Sequence, residues 1–414
     1  MKASRFLILN DYEKNGILSS PQGGESMPTI TLRLELYNPT KVKQDMYKRM
    51  TEVNTAFANW LLNHPELNQA TSKLFKEFSS QRFPSAVVNQ TIREVKSQKK
   101  NQKTKKFRTL WCCFNNQNVK VEKKGEFYTV SFPTLEKRIG VPVVTRSYQE
   151  AWLNRLINGT AKQGAAKLYK KRKKWYFAIA ITVEVQQREE TKVMGIDLGL
   201  RYIAVASVGT KSLFFKGSQC AFIRRRYAAL RRTLGKAKKL HMIRKIGRKE
   251  SRWMKDRNHK ISRQIVRFAL ANGVGVIRME ELTGIRKRET SAKEAGRSLH
   301  SWSFHQLQTM IAYKAEMAGI RVEWVKPTYT SQTCRCGHRE KANRNGIHFQ
   351  CKKCGYTIHA DLNGAINIAK AISGFAAEPS ALVTGAPPIG VHLNPMGRGD
   401  DTPLNLGVVR TRNG

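Results

Sequence analysis

Three short acidic segments, far apart in the chain, hold the residue types that could do chemistry. They are Val193-Met194-Gly195-Ile196-Asp197-Leu198-Gly199, Val276-Ile277-Arg278-Met279-Glu280, and His359-Ala360-Asp361-Leu362-Asn363 running on to Asn367. Each sets a carboxylate at the end of an apolar run or at the start of a predicted helix. A buried carboxylate without a partner loses its water and gains nothing, so isolated ones are costly. Three at element ends make sense if Asp197, Glu280 and Asp361 converge on divalent cations. An all-oxygen set with open positions suits Mg²⁺ or Mn²⁺ rather than Zn²⁺. Two such ions about 3.5–4 Å apart could hydrolyse a phosphodiester, one activating water and the other stabilising the leaving 3′ oxygen. Taken singly, the segments say less. Asp197 reads equally as a turn carboxylate, Glu280 beside Glu281 as surface, and Asp361 as a helix N-cap. Asn363 and Asn367 fit ligand orientation, capping or packing equally well.

A second cluster has metal-ligand spacing. Thr333-Cys334-Arg335-Cys336-Gly337-His338 is followed by Cys351-Lys352-Lys353-Cys354-Gly355-Tyr356, which reads as a four-thiolate zinc ribbon. The second knuckle has the usual two-residue gap and the first is one residue short, so His338 or His348 stands as a substitute ligand. The other three of the seven cysteines, Cys112, Cys113 and Cys220, are scattered. That distribution argues for a metal site in a reducing compartment rather than a disulfide framework. Cys354 lies close before Asp361, so the ribbon should sit at the mouth of the carboxylate site. There Arg335, Lys341 and Arg344 could reach a phosphate backbone.

The charge points to the partner. Lys and Arg number 75 against 30 Asp and Glu in 414 residues, a formal net charge of +45. Self-repulsion penalises such an excess unless a polyanion neutralises it, and nucleic acid is the obvious one. Membrane binding is second, but no apolar run is long enough to span a bilayer and no signal pattern opens the chain. A soluble cytoplasmic protein is expected. The basic residues concentrate between Phe222 and about Ala271, including Arg224, Arg225, Arg226, Arg231, Arg232, Lys238, Lys239, Arg244 and Lys245. Leu230, Leu234, Leu240 and Ile243 interleave, so one side of a long helical stretch should pack on a sheet while the other follows phosphates. Trp111, Phe114, Trp175 and Tyr176 could stack on bases, although aromatics in strand patterns are usually core.

The elements that must position these groups fall in order. Residues 1–28 read as a flexible extension, with Met27-Pro28 as an alternative start. Thr29 to Leu36 alternates as a strand, and Asn38-Pro39-Thr40 breaks it. Residues 41–104 have helical spacing punctuated by Pro65 and Pro84. Between 105 and 190 the pattern is β-rich, with a hairpin turning at Lys124-Gly125. From 191 the order is three strands, helix, strand, helix, strand, and a final helix from Asp361, that of a ribonuclease H-like α/β sheet. The helix from about Trp302 should stop at Gly319. The cysteine segment, 331–356, interrupts a domain covering 191–330 and 357–374. Residues 375–414 read as a disordered tail.

Met194-Gly195-Ile196-Asp197-Leu198-Gly199, Met279-Glu280-Glu281-Leu282, Tyr329-Thr330-Ser331-Gln332-Thr333-Cys334 and His359-Ala360-Asp361-Leu362-Asn363-Gly364-Ala365 resemble TnpB, the transposon-encoded relative of compact type V CRISPR effectors. The specific motifs run from about Lys192 to Ser373. The resemblance implies an α/β multi-domain protein. A β-barrel wedge domain (29–40 and 105–190) with a helical recognition insert would precede a RuvC nuclease domain carrying the zinc-binding element. It implies an RNA-guided DNA endonuclease with a non-coding guide RNA, a double-stranded DNA target and a short adjacent motif. Asp197, Glu280 and Asp361 would be catalytic, and Cys334, Cys336, Cys351 and Cys354 would hold Zn²⁺. Gly364 stands where the family often has alanine, a difference expected to leave metal binding unaffected. Competing readings are a miniature type V CRISPR effector working as a dimer, where a monomer is the first expectation, a nuclease-inactive RNA-guided repressor, and a plain zinc-ribbon nucleic-acid binder.

Overall fold

Strand β1 (Thr29–Leu36) alternates as the sequence predicts, with Leu32, Leu34 and Leu36 turned inward. It belongs to the first of two units into which the computed structural model divides, Met1–Glu184 and Val185–Gly414. The structure describes residues 27–100, 105–189, 192–282, 304–326, 329–371 and 389–392. The expected extension before Met27, the expected start at Trp302 and most of the 375–414 tail lie outside them.

In the first unit, Thr40 caps α1 (Lys41–Leu62) by accepting from the Lys43 amide, and Pro84 precedes α2 (Ser85–Lys100). Between them run the short turns Ser72–Leu74 and Phe75–Phe78. The strands that follow are β2 (Cys113–Phe114), β3 (Lys120–Lys124), β4 (Phe127–Pro133), β5 (Arg138–Val144), β6 (Lys162–Lys171) and β7 (Lys174–Thr182), with α3 (Ser147–Ile157) between β5 and β6. The β3–β4 hairpin turns at Gly125, whose φ of +59° suits glycine. The seven strands order as β2-β6-β7-β1-β5-β4-β3. This corrects the barrel expectation, because among the described residues no ladder joins the outer strands β2 and β3. Tyr47 of α1 lies edge-on to Trp175 at 5.2 Å, beside Phe132. Phe114 and Trp175 are therefore core rather than base-stacking surface, while Trp111 and Tyr176 are half-buried.

The second unit is built on β8 (Val193–Asp197), β9 (Tyr202–Val208) and β10 (Lys211–Lys216), an antiparallel run. Then come α4 (Ser218–Lys236), α5 (Leu240–Ile246) and α6 (Lys249–Ala271). Strands β11 (Val276–Glu280) and β12 (Arg321–Val325) flank α7 (Phe304–Glu316) and add parallel to β8. A small sheet of β13 (Arg344–Asn345), β14 (His348–Gln350) and β15 (Thr357–His359) precedes α8 (Ala360–Lys370). With β16 (Ile389–His392) at one edge, the main sheet orders as β12-β11-β8-β9-β10-β16, and the succession of strands and helical segments from β8 to α8 follows the sequence reading.

Alternation sets the two faces of this sheet. Ala204, Ala206 and Val208 join Met194 and Ile196 under α6 and α7, whereas Val205 and Phe214 turn to Leu362 and Ala365 of α8. Strand β16 (Ile389–His392) lies parallel to β10, which corrects the expectation of a wholly structureless tail. An open strand edge offers unpaired backbone groups that a short extended segment can satisfy. The basic stretch is also not one helix. Backbone φ angles of +53° at Lys238 and +48° at Gly247 turn the chain between α4, α5 and α6. No helix among the described residues is long and apolar enough to cross a membrane.

Candidate active site

Asp197 ends β8 and Glu280 ends its parallel neighbour β11. The register pairing Met279 with Ile196 leaves the two acids next along adjacent strands. Asp361 comes from the first turn of α8, which packs across β8 and β9. That close approach needs Gly195, since a Cβ there would stand 2.0 Å from the Ala365 carbonyl oxygen. His359 caps the helix, its Nδ1 accepting from the Asp361 amide at 3.2 Å.

Asp197 feels both of the other acids. Burial holds the Asp197 carboxyl well above the usual carboxylate range, and the charges of Glu280 and Asp361 push it the same way, with Arg344 and the Leu198 amide opposing. Burial also raises Glu280, against a hydrogen bond donated by the Thr330 hydroxyl at 2.5 Å and the charge of Arg344. Asp361, 7% exposed, accepts from Arg344 Nη2 at 2.8 Å. Asn363 Nδ2 donates to the Thr333 carbonyl, and Asn367 Nδ2 to those of Thr330 and Thr333. The two asparagines thus tie α8 to the segment entering the cysteine cluster. The expected indifference of position 364 does not fit this geometry: a Cβ there would stand 2.9 Å from Asp197 Oδ2. Sequence reasoning gave Thr330 no role, although it lies in a quoted motif.

The four cysteines converge. Their sulfurs lie within 4.8 Å of one another, with Cys334–Cys354 at 3.6 Å and Cys336–Cys351 at 3.7 Å. A tetrahedron of thiolates at the usual zinc distance of about 2.3 Å has edges of about 3.8 Å, so the set can hold zinc. Each knuckle closes with a left-handed glycine, Gly337 at φ +85° and Gly355 at φ +69°, which is why the shortened Cys-x-Cys pair still reaches. The amides of Gly337 and Gly355 donate to the Cys334 and Cys351 carbonyls. His338 instead faces Glu340 at 3.1 Å. Burial and neighbouring sulfurs push the Cys334 thiol up. Arg335 lies over the Tyr356 ring at 4.1 Å, while Lys341 is exposed.

Of the basic helix residues, Arg225, Arg226, Arg232, Lys238, Lys239, Arg244 and Lys245 are exposed. Arg224 is half-buried, its charge felt at Cys220, and Arg231 pairs with Glu250 at 2.7 Å. Leu230 and Leu240, expected against the sheet, are 41% and 57% exposed. Helix α6 occupies that place through Met254, Ile261, Ile265 and Ala269.

Two family models match, one described as a probable transposase over residues 176–286 and one as the Cas12f1-like TNB domain over 304–368. The CRISPR-associated endodeoxyribonuclease Cas12f1 of Sulfoacidibacillus thermotolerans is 32% identical over 57% of this chain and 60% of its own length. The match thus takes in less than two thirds of that relative. A TnpB-like protein of Methanocaldococcus jannaschii is 27% identical over 56% of this chain and 87% of its own length. Among solved structures, a Cas12f1–sgRNA–target DNA complex aligns with a TM-score of 0.63 at 16% identity, over 83% of this chain and 99% of that one. The fold is thus a Cas12-like α/β multidomain fold with mixed sheets. By these matches the chain is a relative of TnpB-like proteins and of Cas12f1, as its motifs suggested.

Proposed function

We propose that this chain is a transposon-encoded, RNA-guided DNA endonuclease that cleaves target DNA beside a short motif. The observation that carries the reading is the meeting of Asp197, Glu280 and Asp361, from two parallel strand ends and a helix start, in a relative of named DNA endonucleases. The sheet order supports a ribonuclease H-like, RuvC-type domain. The first unit would serve as wedge domain with its helical recognition insert, and the cysteine segment as a target-binding zinc ribbon. A non-coding guide RNA and double-stranded DNA would neutralise the charge of +45. The protein would act as a monomer in a prokaryotic cytoplasm.

The donor set fits Mg²⁺ or Mn²⁺, since crowded carboxylates with a raised Asp197 are relieved by a divalent cation. Bound there, the metal would activate water and neutralise charge on the phosphodiester. The chain's own residues orient the site. Thr330 fixes the Glu280 carboxylate, His359 sets the turn that presents Asp361, and Gly364 leaves Asp197 its room. Arg344 is placed to pass hydrogen bonds from Asp361 to an entering phosphate.

The test is plasmid cleavage by the purified ribonucleoprotein. Asp197→Ala should abolish Mg²⁺-dependent cutting while guide and target binding persist; cutting by that variant would remove Asp197 from the site. The match to Cas12f1 supports a second reading, a miniature type V CRISPR effector. A neighbouring repeat array would favour it, and transposon ends the first. A nuclease-inactive repressor has no need of all three acids.

A further inference from the structure

Beside the carboxylates lies a cavity of about 370 Å³ whose wall includes Leu200, Arg201, Phe304, Arg344, Ile347 and Asp361. The nuclease reading uses only its acid and Arg344. Two guanidinium groups border it around a single glycine. Arg344 Nε donates to the Gly346 carbonyl at 3.2 Å, and a Cβ built on Gly346 would stand 3.9 Å from Arg201 Nη1. Gly346 has φ +61°, so the β13–β14 turn stays low and leaves space above it. Arg344 is engaged with Asp361. Arg201 is exposed, and among the described residues its guanidinium has no hydrogen-bond or ion-pair partner.

The opposite character lies alongside. Leu200 is 36% exposed, Ile347 is half-buried, and Phe304 closes the wall with 8% exposure. A cation and an apolar wall in one small cavity are what a nucleotide presents in complement: a phosphate for the guanidinium, and a base face for aliphatic and aromatic carbon. A free phosphate or a carboxylate metabolite would use the cation but not the wall.

We propose that this cavity is a subsite for one nucleotide of the strand lying across the carboxylates, with Arg201 and Arg344 on its phosphate and its base against Leu200, Phe304 and Ile347. The assignment rests on the nuclease reading and names the part of the substrate held next to the acids. Arg201 is then a binding residue outside the basic helices, and it is predicted to fix the register of the strand rather than merely attract it.

The probe is deoxythymidine 3′,5′-bisphosphate, too small to exploit the whole basic surface, titrated calorimetrically into the full-length protein with Mg²⁺. Arg201→Gln should weaken binding about tenfold, the usual scale for one charge-assisted hydrogen bond. Ile347→Trp, which fills the apolar side, should weaken it comparably, Arg201→Lys should retain part of it, and Lys211→Gln on β10 should change nothing. Deoxyribose 3′,5′-bisphosphate, without a base, should bind about tenfold more weakly than the thymidine compound. Equal binding of the two ligands, or unchanged binding in both Arg201→Gln and Ile347→Trp, overturns the subsite. Absence of plasmid cleavage by the wild-type ribonucleoprotein would instead sink the nuclease reading, and the two failures are read in separate assays.

Discussion

Gly364 lies directly against the carboxylate of Asp197: a methyl group at position 364 would reach 2.9 Å from Oδ2 and 3.3 Å from Cγ. Such separations are below ordinary contact, so one of the two residues must yield. Gly364→Ala should cost about 1–3 kcal/mol of stability, the range for overpacking, unless Asp197 rotates away. Rotation would save stability and lose metal affinity. Thermal melts paired with Mn²⁺ titration separate the outcomes, and a variant normal in both would show that the contact is not constraining.

Asp197 is destabilising where it stands, because burial and two neighbouring acids oppose its charge. Asp197→Asn keeps the shape and removes the charge. In the absence of divalent ions it should raise the melting temperature by about 2–4 °C, roughly 1 kcal/mol for a domain of this size. It should also abolish the rise that Mg²⁺ produces in the wild type. A variant that melts lower than wild type in chelator would contradict the electrostatic account.

The sulfur geometry predicts one zinc per chain by elemental analysis of the purified protein. Cys351→Ser should lower that content and expose the segment to proteolysis, since the small buried cluster of this sheet is built on Cys334 and Cys351 themselves beside Phe349. Undiminished zinc in Cys351→Ser would move the ligand elsewhere.

Lys314 supplies a pH dependence away from the acids. Its Nζ donates to the His259 carbonyl at 2.7 Å and to Ser262 Oγ at 2.6 Å, while burial, with Arg263 adding, lowers its pKa from 10.5 to about 8. The unfolded chain therefore holds this proton more tightly than the folded one. The cost is full below pH 8 and fades as pH rises to 10.5, so stability should climb across that window. Urea midpoints of the wild type and Lys314→Met should converge or cross there. Parallel curves would mean that Lys314 contributes no such dependence.

What the sequence made legible was local. Asp197, Glu280 and the four cysteines each sit in a short signature, an apolar run ending in an acid or a thiol pair followed by glycine. The alternation that predicted β1 also fixed which of its side chains turn inward. What it did not reveal was long-range. The pairing of Arg344 with Asp361 needs two turns of chain to fold back. The exposure of Leu230 and Leu240 depends on α6 having the better apolar face. The left-handed turn at Lys238 has no glycine to announce it. Ile389–His392 is too short a run to stand out among glycines and prolines, and its strand exists only because β10 leaves an edge for it.

The tether from Asn363 and Asn367 to Thr330 and Thr333 has an implication for how a newly made chain becomes dangerous to DNA. The last acid emerges from synthesis after the sulfur ligands, and its helix is moored to the turn segment that leads into them. On the nuclease reading, a half-assembled chain holds two acids and lacks the third. Its cutting power would be withheld until the small sulfur-bound fold has closed.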